Sequence, residues 1–217
     1  MKNDWIDLSV LIDENTLVYP GDPPFTRKAY FTHELDSFSL QGFETGMHIG
    51  THLDSPYHFL DKGISVDEIK LDKLIGKANK ISVQVKNSTI LTKDIEEAYL
   101  LIPSKQTKLL IDTAHSAKMN TMSYFDECPL FEKDFIDFLN TYQIELIGLD
   151  LPTIQYSKNN PLQAHLDLLS KEIVIVENLI HLPLLEQNVY FVSLPLKLKG
   201  FDGSMVRAIA KNINTNV

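Results

Sequence analysis

Met47-His48-Ile49-Gly50-Thr51-His52-Leu53-Asp54-Ser55-Pro56-Tyr57-His58 is the stretch whose reading governs the rest of the chain. Three of the seven histidines fall here within 11 residues, where an even spread over 217 residues would place about 0.35. A helix would set His48 and His52 on one face but would turn Asp54 roughly 240° away from His48, and Gly50 and Pro56 both oppose a helix. In an extended chain positions 48, 52, 54 and 58 share one side by parity, yet His48 and His52 would stand about 13 Å apart. The chain must bend between them. Gly50, which lacks a Cβ, can supply that bend, and Pro56 fixes the chain between Asp54 and His58. Neutral imidazoles and a carboxylate are the usual ligands of zinc and its neighbours. His48, His52 and Asp54 therefore form a candidate ligand set with one coordination position left open, and His58 remains as a candidate acid/base.

Outward from this cluster the pattern is mixed. Phe43, Thr45, Met47 and Ile49 alternate with Gly42, Glu44, Gly46 and His48, predicting an extended segment that leads into it. Farther upstream Trp5 to Val10 alternates as a strand, and Tyr19-Pro20-Gly21-Asp22-Pro23-Pro24 forces a turn. Downstream, helices are predicted over 66–75 and over 92–101, the second with Thr92 as its N-cap, and a strand over 80–85 between them. Leu109 to Ile111 and Glu145 to Leu151 read as strands, with Phe131, Phe135, Phe138, Leu139 and Tyr142 at helical, core-facing spacing between them. Leu162, Leu166 and Leu169 mark a helix after Pro161, and strands follow over 172–176, 189–196 and 204–210. No repeat, low-complexity tract or linker interrupts the chain. The expectation is one α/β domain over 1–217 with a sizeable sheet.

Composition narrows the function. A chain of this length removes roughly 70% of its unfolded surface from water, so it needs no disulfide or structural metal to fold. Its net charge of -9 repels phosphate backbones and anionic lipid, which argues against nucleic acid and membrane surfaces as partners and leaves a small molecule. Cys128, the single cysteine, can form no internal disulfide and suits a reducing compartment. No apolar run approaches the ~20 residues of a membrane helix, and the first residues lack the apolar core of a signal peptide, so a cytoplasmic protein is expected.

The run His48-x-Gly50-Thr51-His52-x-Asp54-x-Pro56-x-His58 resembles the signature of the metal-dependent cyclase family, which includes bacterial kynurenine formamidases and isatin hydrolases. Tyr19-Pro20-Gly21-Asp22 is similar to that family's aromatic-Pro-Gly-Asp turn. Leu194 to Lys197 and Asp202-Gly203-Ser204 to Arg207 resemble its closing segment, and His165-x-x-Leu168-Leu169 and Glu177-Asn178-Leu179 the stretch that completes its metal centre. The resemblance implies a swivelling β/β/α-type fold with a mixed central sheet, a homodimer or larger assembly, and one or two divalent ions, zinc or manganese. It assigns His48, His52 and Asp54 to one ion, Asp54, His165 and Glu177 to a second, and His58 to proton transfer. On the residues alone His165 reads first as a core histidine on a Leu-rich helix, and Glu177 could equally cap a loop.

The activity so implied is metal-dependent hydrolysis of a carbon–nitrogen bond in a small amide, an N-formyl aryl amine or a cyclic amide. A lactonase, or a metal- or ligand-binding protein without activity, is the alternative, and an imidazole such as His58 beside an open coordination position speaks for catalysis. Tyr19 stands where the formamidases carry a tryptophan against the substrate's ring, so Tyr19 is expected at the pocket mouth and N-formylkynurenine is expected to be a poor substrate. Trp5, in the first strand, is no replacement. His115 and Asp150 follow strands, as site residues often do, but read first as structural, while His33, His181 and Cys128 lack any activating pattern.

Overall fold

The computed structural model describes residues 4–213. Its strands are β1 (Ile6–Asp7), β2 (Thr26–Phe31), β3 (Leu40–Glu44), β4 (His52–Asp54), β5 (Ile75–Ser82), β6 (Thr89–Ile90), β7 (Lys108–Asp112), β8 (Leu130–Phe131), β9 (Leu146–Leu149), β10 (Val174–Glu177), β11 (Asn188–Val192), β12 (Gly203–Met205) and β13 (Ile209–Asn212). Its helices are α1 (His33–Asp36), α2 (Leu71–Leu74), α3 (Thr92–Leu100), α4 (Ser123–Asp126), α5 (Phe135–Thr141) and α6 (Gln163–Leu169). Nine strands make one mixed sheet in the order β1-β13-β11-β5-β7-β9-β10-β4-β12.

The centre, β5-β7-β9-β10, is parallel. Strands buried on both faces need apolar residues at every position, and Leu109-Leu110-Ile111 and Val174-Ile175-Val176 supply them. Leu109, Ile111, Ile147, Leu149 and Ile175 point into a core with Ile95 of α3, Phe135 and Phe138 of α5 and Leu168 of α6. Leu110, Leu146, Val174 and Val176 point the other way, onto Leu8, Leu74, Phe191 and Ala208. The flanking strands are antiparallel. β12 lies at one edge of the sheet and β13 next to the other, yet only Val206, Arg207 and Ala208 separate them in the chain. Four residues of chain reach at most about 14 Å, so the sheet has to curl until its edges meet.

Several local expectations are corrected. The predicted helix over 66–75 is a 3₁₀ turn, Val66–Glu68, followed by the four-residue α2 and the start of β5. Val66, Ile69 and Leu74 are all buried, so their spacing records burial along a folded-back turn rather than one helix. β5 spans 75–82 instead of 80–85 because it bonds to β11 and β7 on both sides, and this ladder carries polar Asn79, whose buried amide bonds Ser104 O and Asn188 Oδ1. Leu91, not Thr92, is the N-cap of α3; Glu132 Oε2 accepts from the Thr92 N–H at 2.8 Å from across the chain. The segment over 43–49 is extended only to Glu44, since β3 pairs with β2 alone. The strand over 189–196 ends at Val192, and that over 204–210 divides into β12 and β13 where the chain crosses between the sheet's edges.

Candidate metal centre and active site

Register brings the site together. β4 pairs with β10 so that His52 faces Glu177 and Asp54 faces Ile175, and β12 pairs on the other side with Gly203 opposite Asp54. Leu53 points into the core of the opposite face, so His52, Asp54 and Glu177 all project towards the helix-covered side. There α6 packs on β10 and buries Ala164, His165, Leu168 and Leu169. The buried face of α6 is thus rotated from the predicted one: Leu162 is exposed, because the inward position is given to His165.

His48 and His58 come from bends on either side of β4. Gly50 adopts φ +57°, and a Cβ there would lie 2.7 Å from Ile12 Cγ1, so only glycine fits the bend that returns His48 to Asp54. Pro56 opens the 3₁₀ turn Pro56–His58, which swings His58 over His48 with ring centroids 3.8 Å apart.

Four enclosed side chains face one another in a ring. Asp54 Oδ1 lies 3.5 Å from His52 Nε2 and Asp54 Oδ2 lies 3.6 Å from His165 Nε2. Glu177 closes the ring, its Oε1 3.4 Å from His165 Nε2 and its Oε2 3.6 Å from His52 Nε2. These separations are too long for good hydrogen bonds. They are close to the ~3.4 Å that separates two ligand atoms held at about 2.1 Å from a shared tetrahedral cation. His165 Nδ1 is buried without a hydrogen-bond partner among the described residues, and its Nε2 faces Asp54 and Glu177. Two carboxylates so enclosed need positive charge beside them. The donor set therefore suits a divalent ion, in two triads that share Asp54: His48, His52 and Asp54, and Asp54, His165 and Glu177.

The ionisation of the metal-free cluster follows from these contacts. Burial opposes charge on His48, but its hydrogen bonds to Asp202 Oδ2 at 3.0 Å and Asp54 Oδ1 at 2.9 Å outweigh burial and raise its pKa to about 10. Burial lowers that of His52, which favours the neutral ligand form; the hydrogen bond between its Nδ1 and Gly50 O at 2.9 Å works the other way on the pKa but orients the ring. For Asp54 burial works upward, yet the His48 hydrogen bond and the charge of the surrounding histidines hold the carboxyl well below the usual range. For His165, burial is overcome by Glu177 and Asp54, and its pKa rises.

Asp202 is the residue that sequence reasoning missed. Its carboxylate bonds His48 and stands 3.3 Å from His58 Nδ1, and His48, then His58, hold its pKa far below the carboxylate range. The available signal was the glycine beside it. A Cβ on Gly203 would lie 2.6 Å from His48 Cε1 and 2.8 Å from Leu53 O.

Two clefts reach the cluster. The larger, about 740 Å³, lies beyond the ends of β7, β9 and β10 and touches His48 and Gly50; Tyr19, Tyr124 and Phe125 line it, with Tyr19 edge-on to Phe125 at 6.0 Å. The smaller is walled by Tyr57, His58, Phe59, Phe201 and Asp202. The stacked His48–His58 pair stands between the two clefts. Trp5 packs on Tyr190 and lines neither. His115 is buried, stacked on Tyr124 and bonded to its carbonyl, and Asp150 accepts from Thr113 N and Oγ1, so both brace the cavity floor from outside the ring. His33 is exposed on α1, His181 bonds Asp7 O, and the buried Cys128 thiol is pushed up to about 12 by burial.

Residues 6–156 match the family model described as "Putative cyclase", and the chain belongs to this family. It is 31% identical to the kynurenine formamidase of Bacillus thuringiensis (strain Al Hakam) over 97% of its own length and 99% of the relative's. Among solved structures, an isatin hydrolase bound to the product analogue thioisatinate superposes with a TM-score of 0.85 at 18% identity, covering 95% of this chain and 91% of that one. A potential metal-dependent hydrolase with cyclase activity superposes at 0.79 and 24% identity, over 97% and 98%. The mixed, curled sheet is the fold of these structures. His165, Glu177 and Asp202 lie beyond the residues that the family model matches but within the span shared with the full-length relatives.

Proposed function

We propose that the protein is a metal-dependent hydrolase of a carbon–nitrogen bond in a small amide, an N-formyl aryl amine or a cyclic amide. The observation that carries this is Asp54, whose Oδ1 faces His48 and His52 and whose Oδ2 faces His165, with His58 stacked on His48 beside them. Kinship with kynurenine formamidases supports the bond type. His48, His52 and Asp54 would hold one ion, and Asp54, His165 and Glu177 a second, with zinc favoured by the two imidazoles of the first triad and manganese the alternative. A divalent ion supplies, when bound, Lewis acidity that polarises a carbonyl and acidifies water.

The chain's own contribution is proton transfer and orientation. Asp202 engages His58 Nδ1 and leaves Nε2 to take a proton during attack on the carbonyl and return it to the departing nitrogen. Stacking on His48 and edge contact with Phe59 limit the tilt of that ring. The larger cavity suits an aryl ring through Leu17, Tyr19, Tyr124, Phe125 and Ile180. Among the described residues no Lys or Arg lines it and Asp13 is its one carboxylate. Its cationic candidates are His48, already engaged by Asp54 and Asp202, and His181, whose Nδ1 bonds Asp7 O, so a substrate carboxylate finds no uncommitted cation there. This favours uncharged aryl formamides over N-formylkynurenine, in keeping with tyrosine at position 19.

Steady-state kinetics on formanilide, a cyclic amide, a lactone and N-formylkynurenine, with zinc and with manganese, tests the proposal. Expected is metal-dependent turnover of the uncharged amides, with Asp54→Ala abolishing it and losing metal from both triads. A wild type that turns over N-formylkynurenine with kcat/KM of about 10⁴ M⁻¹s⁻¹ or more, with no gain in Tyr19→Trp, would overturn the substrate preference. We further propose a homodimer. The β2–β3 ribbon joins no other strand among the described residues and exposes Tyr30, Phe31, Phe38, Leu40 and Phe43, and light scattering would read the assembly.

A further inference from the structure

Asn178 follows Glu177 directly and stands in a left-handed conformation, φ +59°. Every polar group it owns is engaged. Its N–H donates to Leu151 O at 2.9 Å and its carbonyl accepts from Thr51 Oγ1 at 2.7 Å. Its Nδ2 donates to Gly50 O at 2.9 Å, and its Oδ1 accepts from the Tyr124 hydroxyl at 2.9 Å. The orientation of the amide is fixed, because Gly50 O can only accept and so must face the NH₂ group. Gly50 O also accepts from His52 Nδ1.

The consequence lies in the tautomer of His52. An imidazole with its proton on Nδ1 presents a lone pair at Nε2, and Nε2 is the atom that faces Asp54 and Glu177. With the proton on Nε2 instead, Nδ1 would oppose the Gly50 carbonyl as acceptor against acceptor. Asn178 Nδ2 donates to the same carbonyl from beside the imidazole, 3.4 Å from His52 Nδ1, the spacing of two donors that share one acceptor, and so holds that carbonyl in place. Tyr124 in turn holds Asn178, although its single proton is shared with Asp150 O at 3.2 Å. Its ring is buried, stacked on His115, and its edge lines the larger cavity.

We propose that Asn178, backed by Tyr124, is a positioning residue that fixes His52 in the Nδ1–H tautomer with Nε2 turned to the ligand ring. Its effect on metal affinity rests on the assignment of His52 as a ligand; its effect on the tautomer does not. Two substitutions separate side chain from backbone. Asn178→Gly keeps the left-handed backbone accessible and removes only the amide, while Tyr124→Phe keeps the ring on His115 and removes only the hydroxyl.

The experiment is long-range ¹H–¹⁵N correlation on histidine-labelled, chelator-treated protein, paired with zinc titration against a competing chelator. Wild type is expected to show His52 protonated at Nδ1. Asn178→Gly should show mixed tautomers and bind zinc about 10–100-fold more weakly, the usual cost of losing such a supporting contact, and Tyr124→Phe should lie between the two. An Nε2–H tautomer in wild type, or an Asn178→Gly protein with unchanged tautomer and zinc affinity, overturns the proposal. If Asn178→Gly fails to fold, the wild-type tautomer and Tyr124→Phe decide in the same way. A correct tautomer in a protein that binds no zinc would instead count against the metal reading and leave the positioning role standing.

Discussion

Chelator-treated protein is expected to lose stability as pH rises from 6.5 to 8.5. His48 lies between Asp54 and Asp202, and its pKa stands at about 10 in the folded, metal-free chain against an ordinary 6.5. A group whose pKa is raised by folding contributes its full stability below the unfolded value and loses it as pH climbs through the folded one. The whole shift corresponds to roughly 5 kcal/mol, of which about 2 kcal/mol is lost by pH 8.5. At this chain length that lowers Tm by about 4–8 °C. Asp54 and Asp202, held low by the same contacts, lose their share only as pH falls below the ordinary carboxylate value, so they are silent in this window. His165, raised by Glu177 and Asp54 against burial, adds to the fall, whereas His52, lowered by burial, costs stability only below 6.5. Cys128, pushed up by burial, brings a separate loss above the thiol's ordinary 9.0, which is why the window stops at 8.5. Thermal scans in chelator at three pH values, on wild type and Asp202→Asn, measure the effect. The asparagine cannot pair with a charged His48, so its slope should be clearly shallower. A flat or rising wild-type Tm, or an undiminished slope in Asp202→Asn, refutes the ion-pair reasoning. On the proposed ligand set zinc uptake displaces the His48 proton, so zinc affinity should rise with pH across the same interval.

His58→Ala should keep its metal, measured by elemental analysis, yet lose roughly 10²–10⁴-fold in kcat, and near-normal turnover would remove His58 from proton transfer. Gly203→Ala should destabilise by about 1–3 kcal/mol, because the added methyl meets the His48 ring and the Leu53 carbonyl, and the latter is strand backbone that cannot turn aside. Urea unfolding would report it, with a wild-type midpoint as the contrary result.

The candidate ligands contributed by β4 and its bends were legible because their geometry is local. Parity alone puts His52 and Asp54 on one face, and the need for a bend before His52 singles out Gly50. His165 and Glu177 were legible only through resemblance. A histidine among leucines carries no sign of which way it points, and the periodicity of Leu162, Leu166 and Leu169 suggested a different inner face. Helix limits failed where apolar spacing served a folded-back turn, as at Val66, Ile69 and Leu74, and the limits of β5 failed because hydrogen bonding to two neighbours outweighed the polarity of Asn79.

Asp202 was hidden for a deeper reason. It reaches His48 only because β12 joins β4 at one edge of the sheet while β13, four residues beyond Met205, joins β11 and β1 at the other. No local pattern encodes that closure. The short crossing does require it, since a flat sheet nine strands wide would hold its edges nearly 40 Å apart at about 4.8 Å per strand. Curling the sheet therefore does two things at once. It ties the first strand to the last, through Ile6 opposite Ala210, and it carries the carboxylate that clamps His48 and His58 to the rim of the ligand ring. Stability of the sheet's closure and orientation of His58 are then coupled, so a substitution that loosens the β12–β4 pairing should disorder His58 before it unfolds the core.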